Sequence, residues 1–138
     1  MIAVFADTFY WIALTDFSDS FHERALALTA EHASLPLITT DEVLTEYLNY
    51  FGDRPETIRR HVAAGVRRIM GSSGFRVIPQ SRDSFLAGLD LYAARSDKGY
   101  SLTDCISMQT MRREGLTDVL TNDRHFEREG VRALFRDS

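Results

Sequence analysis

The chain has 138 residues, 44% of them hydrophobic and 26% charged, a size that suits one domain over residues 1–138 with a core of its own. Sixteen Lys and Arg against twenty Asp and Glu give a net charge of −4, which excludes nucleic-acid binding by overall basicity and leaves local charge to decide. The single cysteine, Cys105, excludes an internal disulfide and a multi-cysteine metal site.

No apolar run reaches the ~18 residues of a membrane span. The start Met1-Ile2-Ala3-Val4-Phe5 lacks a basic region, so no signal peptide is expected and a cytoplasmic location follows. Ile2 to Ala6 is a short apolar run of the kind that forms a strand buried on both faces, ended by Asp7. Thr8 to Leu14 reads as a short helix and Ser20 to His32 as a longer one. Leu35 to Thr39 is a second strand. Thr39-Thr40-Asp41-Glu42 carries capping chemistry for a helix whose Val43, Leu44, Tyr47, Leu48 and Phe51 recur at helical spacing, with Glu46 on it. Pro55 suits the first turn of a helix to about Met70, stopped by Gly71-Ser72-Ser73-Gly74. Phe75 to Pro79 is a third strand. Arg82 to Arg95 is a helix with Phe85, Leu86, Leu89 and Ala93 as its apolar face. Ser101-Leu102-Thr103-Asp104 opens a helix to about Arg113, Asp118 to Thr121 is a fourth strand, Asn122 to Glu127 a helical turn, and Val131 to Phe135 a last strand. Strands separated by helices imply right-handed crossovers and a mostly parallel sheet covered on both faces.

In such a sheet, ligands gather beyond the carboxyl ends of the strands. Asp7 follows the first strand, Asp123 follows the fourth, Asp104 lies in the first turn of a helix, and Glu46 projects from the helix after the second strand. Four carboxylates from distant parts of the chain can therefore meet in one pocket. Unit charges ~4 Å apart repel by about 4 kcal/mol at an effective dielectric near 20, so a divalent cation is the natural compensation. All-oxygen ligation suits Mg²⁺ or Mn²⁺, and metal-activated water then suits phosphodiester hydrolysis. Taken singly, each acid has a structural role instead. Asp7 would cap the helix at Thr8, Asp104 would complete the Ser101-x-x-Asp104 box, Asp123 would cap the turn after it, and Glu46 would be an exposed helix residue.

Four stretches together resemble the PIN-domain ribonucleases, in particular the small VapC-type toxins of toxin–antitoxin pairs. They are Val4-Phe5-Ala6-Asp7-Thr8, Thr39 to Leu48, Ser101 to Ser107, and Leu120-Thr121-Asn122-Asp123-Arg124-His125-Phe126. The resemblance covers essentially the whole chain. It implies a three-layer α/β/α fold with four to five short, mostly parallel strands, and it places Asp7, Glu46, Asp104 and Asp123 at the family's acidic metal-binding quartet. It further implies a Mg²⁺- or Mn²⁺-dependent endoribonuclease leaving 5′-phosphate and 3′-hydroxyl ends, an RNA substrate, a homodimer, and a small cognate antitoxin whose segment lies across the site. Thr121 and Asn122 take the place of supporting polar residues before the last acid. Thr8, Thr121, Asn122, Arg112 and Arg124 are the candidate substrate contacts, with Arg113 and His125 nearby. Phe9 departs from the family's usual small or polar residue after Asp-Thr, which bears on the shape of the substrate groove.

Arg54, Arg59, Arg60, Arg67 and Arg68 form a second candidate phosphate-binding face or a solvated helix surface. Cys105 and the Phe9-Tyr10-Trp11 run read as core. A haloacid-dehalogenase-type phosphatase would place an acid two residues after Asp7, where Phe9 stands. A receiver domain would need a lysine after a late strand, whereas Lys98, the one lysine, falls in a polar loop. A PIN nuclease of RNA processing without a toxin role and a catalytically silent PIN-like interaction module are the remaining alternatives.

Overall fold

A computed structural model describes residues 3–137. Its five strands form one sheet in the order β3-β2-β1-β4-β5, and every neighbouring pair is parallel. The strands are β1 (Val4–Ala6), β2 (Leu37–Thr40), β3 (Phe75–Ile78), β4 (Asp118–Leu120) and β5 (Arg132–Ala133). The helices are α1 (Thr8–Thr15), α2 (His22–Glu31), α3 (Asp41–Tyr50), α4 (Glu56–Gly71), α5 (Arg82–Ala94), α6 (Leu102–Glu114) and α7 (Arg124–Arg128). The expected mostly parallel sheet is thus wholly parallel among the described residues, and the first residue of the predicted opening strand, Ile2, lies outside them.

β1 is central because Val4, Phe5 and Ala6 have no polar side to show: all three are fully buried. Phe5 is in register with Ile38 on one side and Val119 on the other. The chain runs outward from β1 through β2 to β3, then crosses back to pair β4 against β1's other edge. The strand order therefore reverses beside β1, and a crevice opens beyond the carboxyl ends of β1 and β4. Asp7 is the residue after β1 and Asp123 lies three past β4, both at that crevice.

Local chemistry sets the element ends. Thr40 caps α3, its Oγ1 accepting from the Val43 N–H at 3.1 Å. Ser101 caps α6 by accepting from the Asp104 N–H at 3.0 Å, and α6 ends at Gly115, whose φ of 69° is left-handed. Pro55 stands just before α4 rather than inside its first turn. The predicted last strand, Val131 to Phe135, shrinks to Arg132–Ala133, although Leu134 and Phe135 remain buried. Tyr10, Trp11 and Cys105 are core as expected, and Phe9 packs its ring against Phe21 and Phe135 at 5.1 and 4.9 Å.

One expectation is reversed. Phe85, Leu86 and Leu89, read as the buried face of α5, are 39%, 45% and 42% exposed, and Tyr92 is 50% exposed. The side of α5 that packs inward carries Ser84, Gly88 and Leu91. The cause is the closeness of α6: a Cβ on Gly88 would sit 2.4 Å from Ile106 Cγ1. Only small side chains permit that approach, so the bulky apolar residues turn outward.

Candidate metal centre

The four predicted acids are linked through their charges, with Asp104 and Asp123 close enough to share a ligand group. Asp7 is 5% exposed. Asp104 is the charge that weighs most on it, followed by Glu46, and Asp104 in turn feels Asp123 and Glu46. Topology positions them: Asp7 leaves the central strand, Asp123 follows its neighbour, Asp104 sits in the first turn of α6, and Glu46 lies on the second turn of α3.

Burial pushes the Asp7 carboxyl up from 3.8 to about 7, and the Asp104 and Glu46 charges add to the rise. The hydrogen bond from the Thr121 hydroxyl opposes it. Burial likewise raises Asp104 to about 6, reinforced by Asp123 and Glu46 and opposed by hydrogen bonds from Ser101. Desolvated carboxylates that destabilise one another are held ready for a cation that would offset both costs.

The capping roles are answered one by one. Asp7 stands at the N-cap position of α1, yet its side chain makes no cap hydrogen bond. Its Oδ2 instead accepts from Thr121 Oγ1 at 2.9 Å, and its Oδ1 is buried without a partner among the described residues. A buried carboxylate oxygen left bare costs about 1–3 kcal/mol or more, and a bound cation removes that cost. Asp123 does cap α7, with Oδ1 accepting from the His125 N–H at 2.9 Å. Asp104 does complete the Ser101 box, its backbone N–H donating to Ser101 Oγ and its carboxylate accepting from Ser101, while the same carboxylate feels the other acids. Glu46 is half-buried rather than an exposed helix residue, and its Oε1 accepts from the Thr8 hydroxyl. Oxygen donors that are buried, crowded and short of partners fit a hard divalent ion.

The supporting residues divide. Thr8 and Thr121 are buried and orient Glu46 and Asp7 respectively, so they act on the acids. Asn122 is half-buried beside Asp123. Arg124 is exposed and, among the described residues, forms no ion pair. Arg112, half exposed, donates from Nη2 to the nearly buried Glu129 Oε1 at 2.8 Å. On α4, Arg60 is paired with Glu56 and Arg59 is bonded to the Gly52 carbonyl, whereas Arg67 and Arg68 are exposed.

Two residues near the acids, Tyr100 and Glu129, escaped the sequence. Ligand atoms of Asp104, Asp123 and His125 lie within 4.8 Å of one another. Tyr100 stacks on His125 with ring centroids 4.9 Å apart and donates its hydroxyl to Glu129 Oε2 at 2.8 Å. The one available hint was the position of Tyr100 directly before the capping Ser101. A cleft of about 270 Å³ lined by Glu42, Thr45, Glu46, Asn49, Gln80 and Thr103 opens beside the acids. The larger cavity of about 730 Å³, lined by Trp11, Phe17, Tyr47, His61, Arg68 and Phe75 among others, contains no carboxylate and is separate from this chemistry.

The PIN domain family profile matches residues 4–130. The chain belongs to the PIN-domain family. Among solved structures it is similar to VapC20 of Mycobacterium tuberculosis, described as a sarcin-ricin loop cleaving toxin, at 25% identity and a TM-score of 0.82, covering 94% of this chain and 97% of that one. It also shares the fold of DNA-bound VapBC from Salmonella typhimurium, at 20% identity and a TM-score of 0.66 over 96% of this chain and 97% of that one. FitAcB from Neisseria gonorrhoeae matches at 17% identity and a TM-score of 0.66 over 94% and 95%. No curated protein matches the sequence. The three-layer α/β/α expectation is borne out by these likenesses, and among the described residues no helix is long and apolar enough to cross a membrane.

Proposed function

We propose that this chain is a metal-dependent endoribonuclease acting as the toxin of a toxin–antitoxin pair, with its site built by Asp7, Glu46, Asp104 and Asp123. The observation that carries the reading is Asp7: a buried carboxylate, pushed up to about 7, with one oxygen unpartnered and other acids beside it. The family match and the likeness to a sarcin-ricin loop cleaving toxin support RNA as substrate.

Asp7 and Asp104 would hold the ion, with Asp123 completing the set. When bound, Mg²⁺ or Mn²⁺ supplies Lewis acidity that makes water nucleophilic near neutral pH and offsets charge on the phosphate oxygens. The protein residues do the rest. Thr8 fixes Glu46 through Oε1, leaving Oε2 to orient the attacking water and accept its proton. Thr121 fixes Asp7, and the exposed Arg124 supplies a phosphate contact beside Asp123. In-line attack on phosphorus then breaks the bond to the 3′ oxygen, leaving 5′-phosphate and 3′-hydroxyl ends.

The residues 1–138 act as one cytoplasmic domain in this account. A small antitoxin is its partner, in keeping with the VapBC and FitAcB likenesses. A homodimer would cover the exposed α5 stripe of Phe85, Leu86, Leu89 and Tyr92. The test is incubation of purified protein with a structured RNA pool in EDTA, Mg²⁺ or Mn²⁺, with Asp7→Asn alongside. Cleavage that requires both metal and Asp7 supports the proposal. Metal-independent cleavage, or equal cleavage by Asp7→Asn, defeats it.

A further inference from the structure

His125 stands in the first turn of α7, two residues after Asp123, and the hydrolysis described above leaves it without a task. Its backbone N–H bonds to Asp123 Oδ1 at 2.9 Å, and its ring Nδ1 lies 3.3 Å from that same oxygen. The ring atom is nonetheless buried, with no hydrogen-bond partner among the described residues. A nitrogen left bare beside a carboxylate is destabilising.

A shared cation removes that cost. In octahedral coordination with bonds of about 2.1 Å, adjacent donor atoms sit about 3 Å apart along an edge. The 3.3 Å between Nδ1 and Oδ1 is close to such an edge. Asp104 offers a third donor, all within 4.8 Å of one another. An independent sign that a cation belongs here comes from Asp7, 5% exposed with Oδ1 unpartnered and with Asp104 as the charge that weighs most on it.

The imidazole is also held in place, as a ligand must be. Tyr100 lies against the ring at 4.9 Å, and its hydroxyl is fixed by Glu129 at 2.8 Å. Glu129 is gripped by Arg95 at 3.0 Å and Arg112 at 2.8 Å. Burial works against the charge on Glu129, but the Arg95 and Tyr100 hydrogen bonds and the Arg95 and Arg112 charges outweigh it and hold the carboxyl below its ordinary range. This braced chain joins the C-terminal end of α7 to the residue before the α6 cap, so it ties His125 to the same frame that carries Asp104. Tyr100 and Glu129 are positioning residues in this arrangement.

We propose that His125 donates Nδ1 to the metal centre and thereby makes the site select Mn²⁺ over Mg²⁺. Neutral imidazole, protonated at Nε2, presents its lone pair at Nδ1. Mg²⁺ favours oxygen donors, whereas imidazole suits transition-metal ions, so one nitrogen in an otherwise carboxylate set shifts the preference toward Mn²⁺. The inference rests on the proposal that the acids hold a divalent ion.

The test uses the full chain, stripped with EDTA and reloaded with Mn²⁺. Pulsed electron paramagnetic resonance of the wild type should show coupling from an imidazole ¹⁴N, lost in His125→Gln. Calorimetric titration of each cation should show Mn²⁺ affinity falling at least about tenfold in His125→Gln, the lower end of what loss of a supporting contact costs a metal site. Mg²⁺ affinity should stay essentially unchanged. Mn²⁺ bound without ¹⁴N coupling overturns the inference and leaves the metal-dependent nuclease standing. Equal losses for both ions overturn it too, since His125 would then only orient Asp123. No Mn²⁺ binding at all overturns both readings. The wild-type spectrum decides the matter even if His125→Gln folds poorly.

Discussion

Replacing Asp7 by Asn should stabilise the protein in EDTA while abolishing its metal affinity and RNA cleavage. A folded-state pKa of about 7 in place of 3.8 means that ionising Asp7 costs the folded chain about 4 kcal/mol above pH 7. Asn keeps an acceptor for the Thr121 hydroxyl and carries no charge toward Asp104 and Glu46. The sign follows from linkage. Because the folded pKa is raised, the wild type is most stable below the unfolded value of 3.8 and loses that stability as pH rises through about 7. With about 2–4 kcal/mol realised, Asp7→Asn should melt roughly 5–12 °C higher than wild type at pH 8. At pH 5 the wild-type carboxyl is already protonated in the folded state, so the gain should fall by more than half. Differential scanning calorimetry at both pH values, in EDTA, reads this directly. A variant that melts no higher at pH 8, or whose gain ignores pH, would refute the claim that Asp7 is ionised under strain.

Other outcomes follow from the same structure. Saturating Mn²⁺ at about 100 times its Kd should stabilise wild type by about 2.7 kcal/mol and leave Asp104→Asn unmoved, measured by thermal melts with and without metal. Gly88→Ala should cost about 1–3 kcal/mol in urea denaturation, because the new methyl would meet Ile106 Cγ1 at 2.4 Å. Glu129→Ala should cost about 1–3 kcal/mol by the same measurement, since it strips charged hydrogen bonds from Arg95, Arg112 and Tyr100. Leu89→Asp should convert the proposed homodimer to monomer by light scattering without loss of fold, as Leu89 is 42% exposed.

Much of the site was legible because chain punctuation carries it. Asp7 and Asp123 end strands whose apolar runs are plain in sequence, and Ser101-x-x-Asp104 marks a helix start that the structure keeps. What failed was anything that depends on close approach or long-range pairing. The α5 face was misread because hydrophobicity marks Phe85, Leu86 and Leu89, whereas burial is decided by the smallness of Ser84 and Gly88 against α6. Nothing local shows that Arg112 pairs with Glu129, seventeen positions away and nearly buried. Tyr100 and His125 meet across 25 positions for the same reason, so the braced ring beside Asp123 has no local signature.

The chemistry of the RNA ends tests the central claim most directly. Carboxylate-held metal and an attacking water predict 5′-phosphate and 3′-hydroxyl termini, formed equally when the 2′-hydroxyl at the cut site is replaced by hydrogen, and absent in EDTA or with Asp104→Asn. Products ending in 2′,3′-cyclic phosphate, or a cut that requires the 2′-hydroxyl, would mean that the RNA supplies its own nucleophile and that the acidic centre is not the catalytic one.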